Sequence, residues 1–184
     1  MNIAVVLGSQ RKKGLWNEIE NCIKKNRDNE YDFIRMSETK IEGCVACEGC
    51  AKSGKCILPE SQNDMFEDIL SRLKKAEAIL IITPIYSPYP SRLVALMERL
   101  LSISFFGYEI GKIERPLKNK RTGVICYGSS KIEDDIPMKL LFQKYLMDNY
   151  SFTEISYDFI NDEKNPNQKY GNVIEYVQNV IGRI

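Results

Sequence analysis

The sequence contains no histidine, and that one absence removes Ser-His and Cys-His catalysis together with every imidazole metal ligand. Any metal site must be built from cysteine, carboxylates or carbonyls. Charge of one sign is lacking too: Lys+Arg 26 against Asp+Glu 25 leaves a net +1. There is neither a broad basic field to hold a nucleic-acid backbone nor a polyacidic tail. No run approaches the roughly 18 apolar residues of a membrane span. The N-terminal MNIAVVLGSQRKKG places its apolar run before its basic residues, the reverse of a secretory signal. A cytoplasmic protein is expected. Repeats, low-complexity tracts and linkers are absent as well. A chain of 184 residues that is 43% hydrophobic is long enough for one well-buried core, so residues 1–184 are read as a single domain.

What is present is an alternation of near-continuous apolar runs with amphipathic ones, the pattern of buried parallel strands joined by crossover helices. Strands are predicted at Asn2 to Leu7, Tyr31 to Met36, Ala78 to Thr83, Thr122 to Tyr127 and Phe152 to Phe159. Helices are predicted at Leu15 to Lys25, from about Met65 after a cap supplied by Ser61 to Asp64, at Ser91 to Ile103, at about Ile136 to Asn149 and at Val173 to Val180. Phe105 to Lys120 reads as an irregular excursion, and residues 42–60 as an unusually long loop. Five strands with crossover helices on both faces make an α/β doubly wound sheet, expected in the order 2-1-3-4-5. Ligands in such sheets bind outside the carboxyl ends of strands one and three.

Three loops converge on that edge. GSQRKKG, residues 8–14, has the makings of an anion cradle: free amides at a helix start, the helix dipole, the Ser9 hydroxyl and the Arg11 guanidinium all favour a phosphate. It is neither a Walker loop nor a G-x-G-x-x-G fingerprint, and its short length suits a monophosphate. The plain alternative is a glycine turn with a solvated basic tip. TPIYSPYPS, residues 83–91, offers a proline-stiffened turn whose backbone can bond the edge of a flat heterocycle while Tyr86 or Tyr89 stacks on its face; singly, the prolines need only end a strand. YGSS, residues 127–130, is a small-residue turn at the same edge. Only the three together are informative.

The most concentrated chemistry is GCVACEGCAKSGKC, residues 43–56, which brings Cys44, Cys47, Cys50 and Cys56 into one stretch. A reducing compartment argues against a disulfide framework. The spacing C-x2-C-x2-C-x5-C can wrap a cubane from a single loop, and Gly43, Gly49 and Gly54 give the backbone the freedom to do so. Zinc more often joins two separated knuckles. Reduced cysteines without metal, or a redox-active pair such as Cys44 and Cys47, stay open. Cys22 and Cys126 fall in a helix and a strand, as small hydrophobes. The thiols are expected near the crevice, because the loop leaves strand two on the same edge.

Taken together, GSQRKKG, GCVACEGCAKSGKC followed by NDM, and TPIYSPYPSRLVALMER resemble the flavodoxin-like NAD(P)H-dependent FMN reductases, and in particular their iron–sulfur flavoprotein branch, over nearly the whole chain. The resemblance implies FMN, with its phosphate at Ser9, Arg11 and the turn through Gly14, Leu15 and Trp16. It implies a flavin ring against Pro84, Ile85, Tyr86 and Ser87, with Gly128 and Ser129 opposite. Cys44, Cys47, Cys50 and Cys56 would hold a 4Fe-4S cluster, and homodimers or homotetramers with flavin sites near a subunit interface are implied too. The chain departs from the family at Gly14-Leu15-Trp16-Asn17, where Gly-Asn-Thr or Gly-Asn-Ser is usual, so phosphate binding rests more on amides and Arg11. It departs again at Leu93-Val94 and Glu98-Arg99, in place of Leu-Lys and Asp-Arg.

Three functions follow as expectations. The first is an oxidoreductase taking hydride from NAD(P)H, or electrons from a ferredoxin-type donor, to FMN and on through the cluster to a small-molecule or protein acceptor; without the cluster it would be a flavin or quinone reductase. The second is a flavodoxin-like electron carrier. The third is a zinc-stabilised binding module. Hydride transfer to a flavin needs no acid or base side chain, so no catalytic residue is named.

Overall fold

The structure, a computed structural model, describes residues 1–58, 64–86, 89–128, 154–161 and 179–182; for Leu15 and residues 154–161 only the backbone is described. Its elements are β1 (Asn2–Leu7), α1 (Leu15–Ile23), β2 (Glu30–Arg35), α2 (Gly49–Ser53), α3 (Phe66–Lys75), β3 (Ala78–Pro84), α4 (Ser91–Glu109), β4 (Arg121–Gly128) and β5 (Glu154–Asn161). The strands form one sheet in the order β2-β1-β3-β4-β5. Every pairing is parallel. The helices read at 136–149 and most of 173–180 lie outside the described residues; residues 179–182 are helical.

The inner strands β1 and β3 read as continuous apolar runs because both faces of the sheet are covered there, so alternate side chains enter different cores. On one face Ala4, Val6, Ile79, Ile81, Val124 and Cys126 pack with α3 and α4. On the other Ile3, Val5, Leu7, Leu80, Ile82 and Ile125 pack with Trp16, Ile19 and Ile23 of α1 and with Val180 and Ile181. Helix α3 shows the matching 3.6-residue spacing, with Phe66, Ile69, Leu70 and Leu73 buried.

Two expectations are corrected: the end of α4, and the reading of residues 42–60 as a loop throughout, since α2 (Gly49–Ser53) lies within it. Helix α4 does not stop at Ile103 but runs on to Glu109, so residues 105–109 are not part of an irregular excursion. The cause is tertiary: the cysteine stretch contains its own short helix, α2, and Gly107 packs where an added Cβ would sit 3.6 Å from the Cys50 carbonyl. A partner helix thus covers the last turns of α4, which isolated residue preferences do not reveal. Among the described residues, no helix is long and apolar enough to cross a membrane.

Candidate functional site

The carboxyl ends of β1, β3 and β4 are tied by backbone hydrogen bonds. The Gly8 amide donates to the Ile82 carbonyl (2.8 Å), and the Ile85 amide to the Tyr127 carbonyl (2.9 Å). Glycine at position 8 is required by close approach, since a Cβ there would lie 2.5 Å from Thr83 Oγ1. The loop beyond it is fixed from within. Trp16 Nε1 donates to the Arg11 carbonyl (2.7 Å), and Asn17 Oδ1 accepts from the Gly14 amide (2.9 Å). With its side-chain oxygen toward α4, Gln10 accepts from the amides of Ser91 and Arg92 (2.8 Å each), capping that helix from the loop.

This arrangement leaves donors for an anion. The Ser9 hydroxyl is buried and accepts from the Arg11 amide (3.3 Å). The amides of Gln10, Lys12 and Lys13 donate to no group among the described residues. Arg11 is exposed, and Leu15 and Trp16 open α1 at its N-terminus. A phosphate monoester fits such a set of unused amides, hydroxyl and guanidinium at a helix start. Asn17, Gln10 and Thr83 were missed in the sequence because they act through the loop backbone; Asn17, three residues after Gly14, was the available capping signal.

Beyond the 8–14 loop, Pro84 is buried, Ile85 is half-buried and Tyr86 is 47% exposed, whereas Tyr89 is buried in the core. Of the two tyrosines, Tyr86 is the one with a face to offer. Gly128 lies beside Ile85, 3.5 Å from its Cβ at the position a side chain would start. Ser87 and Ser129 lie outside the described residues.

The thiols are elsewhere. Cys44, Cys47, Cys50 and Cys56 line a single, mainly apolar cavity with about 500 Å³ of empty space, its open mouth included, against Arg99, Ser102, Ile103 and Phe106 of α4. Those residues lie eight to fifteen positions beyond Ser91, roughly 12 to 22 Å along the helix at 1.5 Å per residue. The expectation that the thiols sit by the crevice is therefore corrected: the loop runs down α4, away from the sheet edge it leaves.

Each sulfur environment is distinct. Arg99 Nη2 donates to Cys56 Sγ (3.3 Å), and the Ala46 amide to Cys44 Sγ (3.4 Å). Cys44 Sγ also meets Ser102 Oγ (3.1 Å), and the Cys50 thiol donates to the Ser102 carbonyl (3.3 Å). Cys47 is exposed. Ala46 and Glu48, between the thiols, hold positive φ values of 51° and 56°, a left-handed backbone that non-glycine residues adopt at a cost of about 1–3 kcal/mol each. Burial pushes the Cys50 thiol above its ordinary value; its own amide and that of Ala51 oppose this, while Cys44 and Cys47 push the same way.

As the side chains lie, no three cysteines or carboxylates among the described residues converge to hold one metal ion. Zinc needs four thiolates at about 2.3 Å from a point. A cubane instead takes one thiolate at each of four corners, so donors distributed around an apolar cavity, with N–H groups directed at sulfur, fit a cluster better.

Behind the cavity stands a buried ion pair. Arg99 and Asp64 are 2% and 7% exposed and bond at 2.6 Å. Asp64 also accepts from the amides of Glu42 (3.0 Å) and Phe66 (2.9 Å), joining the start of the cysteine stretch to the start of α3. Burial alone would raise the Asp64 pKa, but these two amides and Arg99 outweigh it and hold the carboxyl below its ordinary value. From the sequence Asp64 is legible only as part of a helix cap, and Arg99 only as part of the Glu98-Arg99 departure.

Residues 1–145 match the family described as NADPH-dependent FMN reductase, and the chain belongs to that family. It is 27% identical over 136 residues to an iron-sulfur flavoprotein of Methanocaldococcus jannaschii, covering 71% of this chain and 64% of that protein. It is 26% identical over 141 residues to an iron-sulfur flavoprotein of Methanosarcina thermophila, covering 71% and 65%. The matched region thus spans just under two thirds of these relatives. An NAD(P)H:quinone oxidoreductase from Methanothermobacter marburgensis superposes with a TM-score of 0.68 over 95% of this chain and 90% of that one, at 13% identity. That likeness shows the flavodoxin-like α/β fold alone.

Proposed function

We propose that this chain is an FMN-dependent oxidoreductase that accepts hydride from NAD(P)H, or electrons from a ferredoxin-type protein, and delivers them through a 4Fe-4S cluster to a small-molecule or protein acceptor. Flavin supplies the conversion between two-electron and one-electron chemistry, and the cluster supplies a one-electron conduit. The chain positions both. Ser9, Arg11 and the unused amides of the 8–14 loop hold the phosphate, with the amide end of α1 at Gly14, Leu15 and Trp16 behind them. Pro84, Ile85 and Tyr86 take one side of the ring and Gly128 the other, with Ser87 and Ser129 assigned the same neighbourhood. Cys44, Cys47, Cys50 and Cys56 ligate iron. A cytoplasmic homodimer or homotetramer completes the reading.

The observation that carries it is the single apolar cavity lined by all four thiols of the 43–56 stretch. Family membership supports FMN, and the names of the two relatives support a cluster. A reductase without a cluster is favoured by one contact, the Cys50 thiol donating to the Ser102 carbonyl, since that bond requires a proton on sulfur. Anaerobic purification followed by flavin, iron and sulfide analysis separates the two. One FMN with four iron per chain is expected; FMN without iron selects the cluster-free reductase, and a colourless protein ends both readings.

A further inference from the structure

One charged side chain touches the thiol cavity from inside the protein. Arg99 is 2% exposed, and its guanidinium is divided between two tasks. Nη1 donates to Asp64 Oδ2 (2.6 Å) and, at 3.4 Å, to the Glu42 carbonyl. Nη2 donates to Cys56 Sγ (3.3 Å), and Nε has no partner among the described residues. The plane is held by the Phe66 ring, 4.1 Å from the guanidinium carbon to the ring centroid. A cation this buried needs a reason beyond stability, because a well-packed apolar pair in place of an Arg–Asp bridge is often neutral or stabilising. A planar fork anchored at one arm and aimed at sulfur with the other is an arrangement that lysine cannot reproduce.

We propose that Arg99 is a positioning residue for the cluster: anchored by Asp64 and Phe66, it orients Cys56 and raises the cluster's reduction potential through its hydrogen bond and positive charge. The inference rests on the cluster reading above. Reduction adds one negative charge to a thiolate-bound cluster, and an N–H donor and a cation beside a ligating sulfur favour the more negative state. Asp64 moderates that effect, since its carboxylate offsets part of the guanidinium charge. The two residues therefore tune in opposite directions, which a purely structural pair would not do.

The test uses anaerobically purified full-length protein, reconstituted with iron and sulfide, and reads two quantities: the cluster's midpoint potential, from an EPR-monitored dithionite titration, and the rate of iron loss to excess chelator. Arg99→Gln combined with Asp64→Asn removes the charge and the Cys56 bond without stranding a buried carboxylate. Its potential is expected below wild type, and iron is expected to be lost faster, up to about 10- to 100-fold where the affinity loss usual for removing a partner of a metal ligand falls on dissociation. Asp64→Asn alone, leaving Arg99 uncompensated, is expected above wild type. Arg99→Lys keeps the charge and Asp64 but gives up the fork, so it should fall between wild type and the double variant, and it decides the matter if the double variant does not fold. Wild-type potential and iron retention in the double variant, or in Arg99→Lys, overturn the role of Arg99 while leaving the cluster in place. A wild-type protein that takes up no iron overturns the cluster reading, and this inference with it.

Discussion

At the scale of single residues, the four thiols differ in what surrounds them, and their substitutions should differ accordingly. Cys47 is exposed, so Cys47→Ala removes little packing and is expected to change stability by less than about 0.5 kcal/mol. Under the proposed reading the same change eliminates the iron signal and leaves FMN bound, because the 8–14 loop and the Tyr86 turn do not line the thiol cavity. Paired iron and flavin analyses check this, and simultaneous loss of both cofactors would show that the loop supports the flavin. Gly54 is a sharper case. Its φ is +68° and an added Cβ would lie 2.8 Å from Ile113, so Gly54→Ala meets both a left-handed backbone penalty of about 1–2 kcal/mol and a side chain that must move. Urea unfolding of the metal-free protein should place it at least about 1 kcal/mol below wild type; an unchanged midpoint would mean that the turn is not held as described. Of the three glycines read as giving the stretch its freedom, this one is required at a helix end, where the Gly54 amide closes α2 on the Cys50 carbonyl at 2.9 Å.

At the scale of elements, α4 is the link between the two halves of the site. Its first turn is capped by Gln10 from the 8–14 loop, and its later turns carry Arg99 and Ser102 against the thiols. Strands β1 and β3 and helix α1 were legible in the sequence because a both-faces-buried strand leaves a continuous apolar run and α1 an amphipathic stripe. The second half of α4 was not legible. Phe105, Phe106 and Gly107 are poor helix formers in isolation, and what holds them helical is packing on α2. That partner is five residues long and follows Glu48 at positive φ, too short to leave a periodic pattern. The residue types of the 8–14 loop were legible as an anion-cradle candidate, whereas the displacement of the thiols along α4 was not legible, since spacing says nothing of the direction a loop takes. The same reasoning assigns Asp64 a joining role. Removing its charge strands the Arg99 cation, so Asp64→Asn should cost the metal-free protein about 3–5 kcal/mol, the range for breaking a buried pair. Urea unfolding measures it, and a loss under about 1 kcal/mol would show that the pair contributes little to joining the cysteine stretch to α3.

At the scale of the whole molecule, the absence of histidine sets the pH response. No side chain in the chain has an ordinary pKa between about 5 and 7. The acid side is governed by carboxylates held below their ordinary values. Glu20 is lowered chiefly by the hydrogen bond from Arg35, with Lys24 adding to it against the opposing effect of burial. Asp32 is lowered chiefly by the hydrogen bond from Arg72, and Asp64 is lowered by two amides and Arg99 despite burial. For each, the unfolded chain binds protons more readily than the folded one as pH falls. The stabilisation is therefore complete above the unfolded values of 4.5 for Glu20 and 3.8 for the two aspartates, and is lost as pH drops through the lower folded values. The metal-free, reduced protein should show one urea midpoint from pH 7 to about 5, then a steep decline below about 4.5. Glu20→Gln should lower the plateau and flatten the decline, because Gln cannot titrate yet leaves Arg35 and Lys24 without their carboxylate. A midpoint that already falls between pH 7 and 5.5 would contradict this account, since no histidine is available to cause it and the carboxylates named here are still ionised in both states.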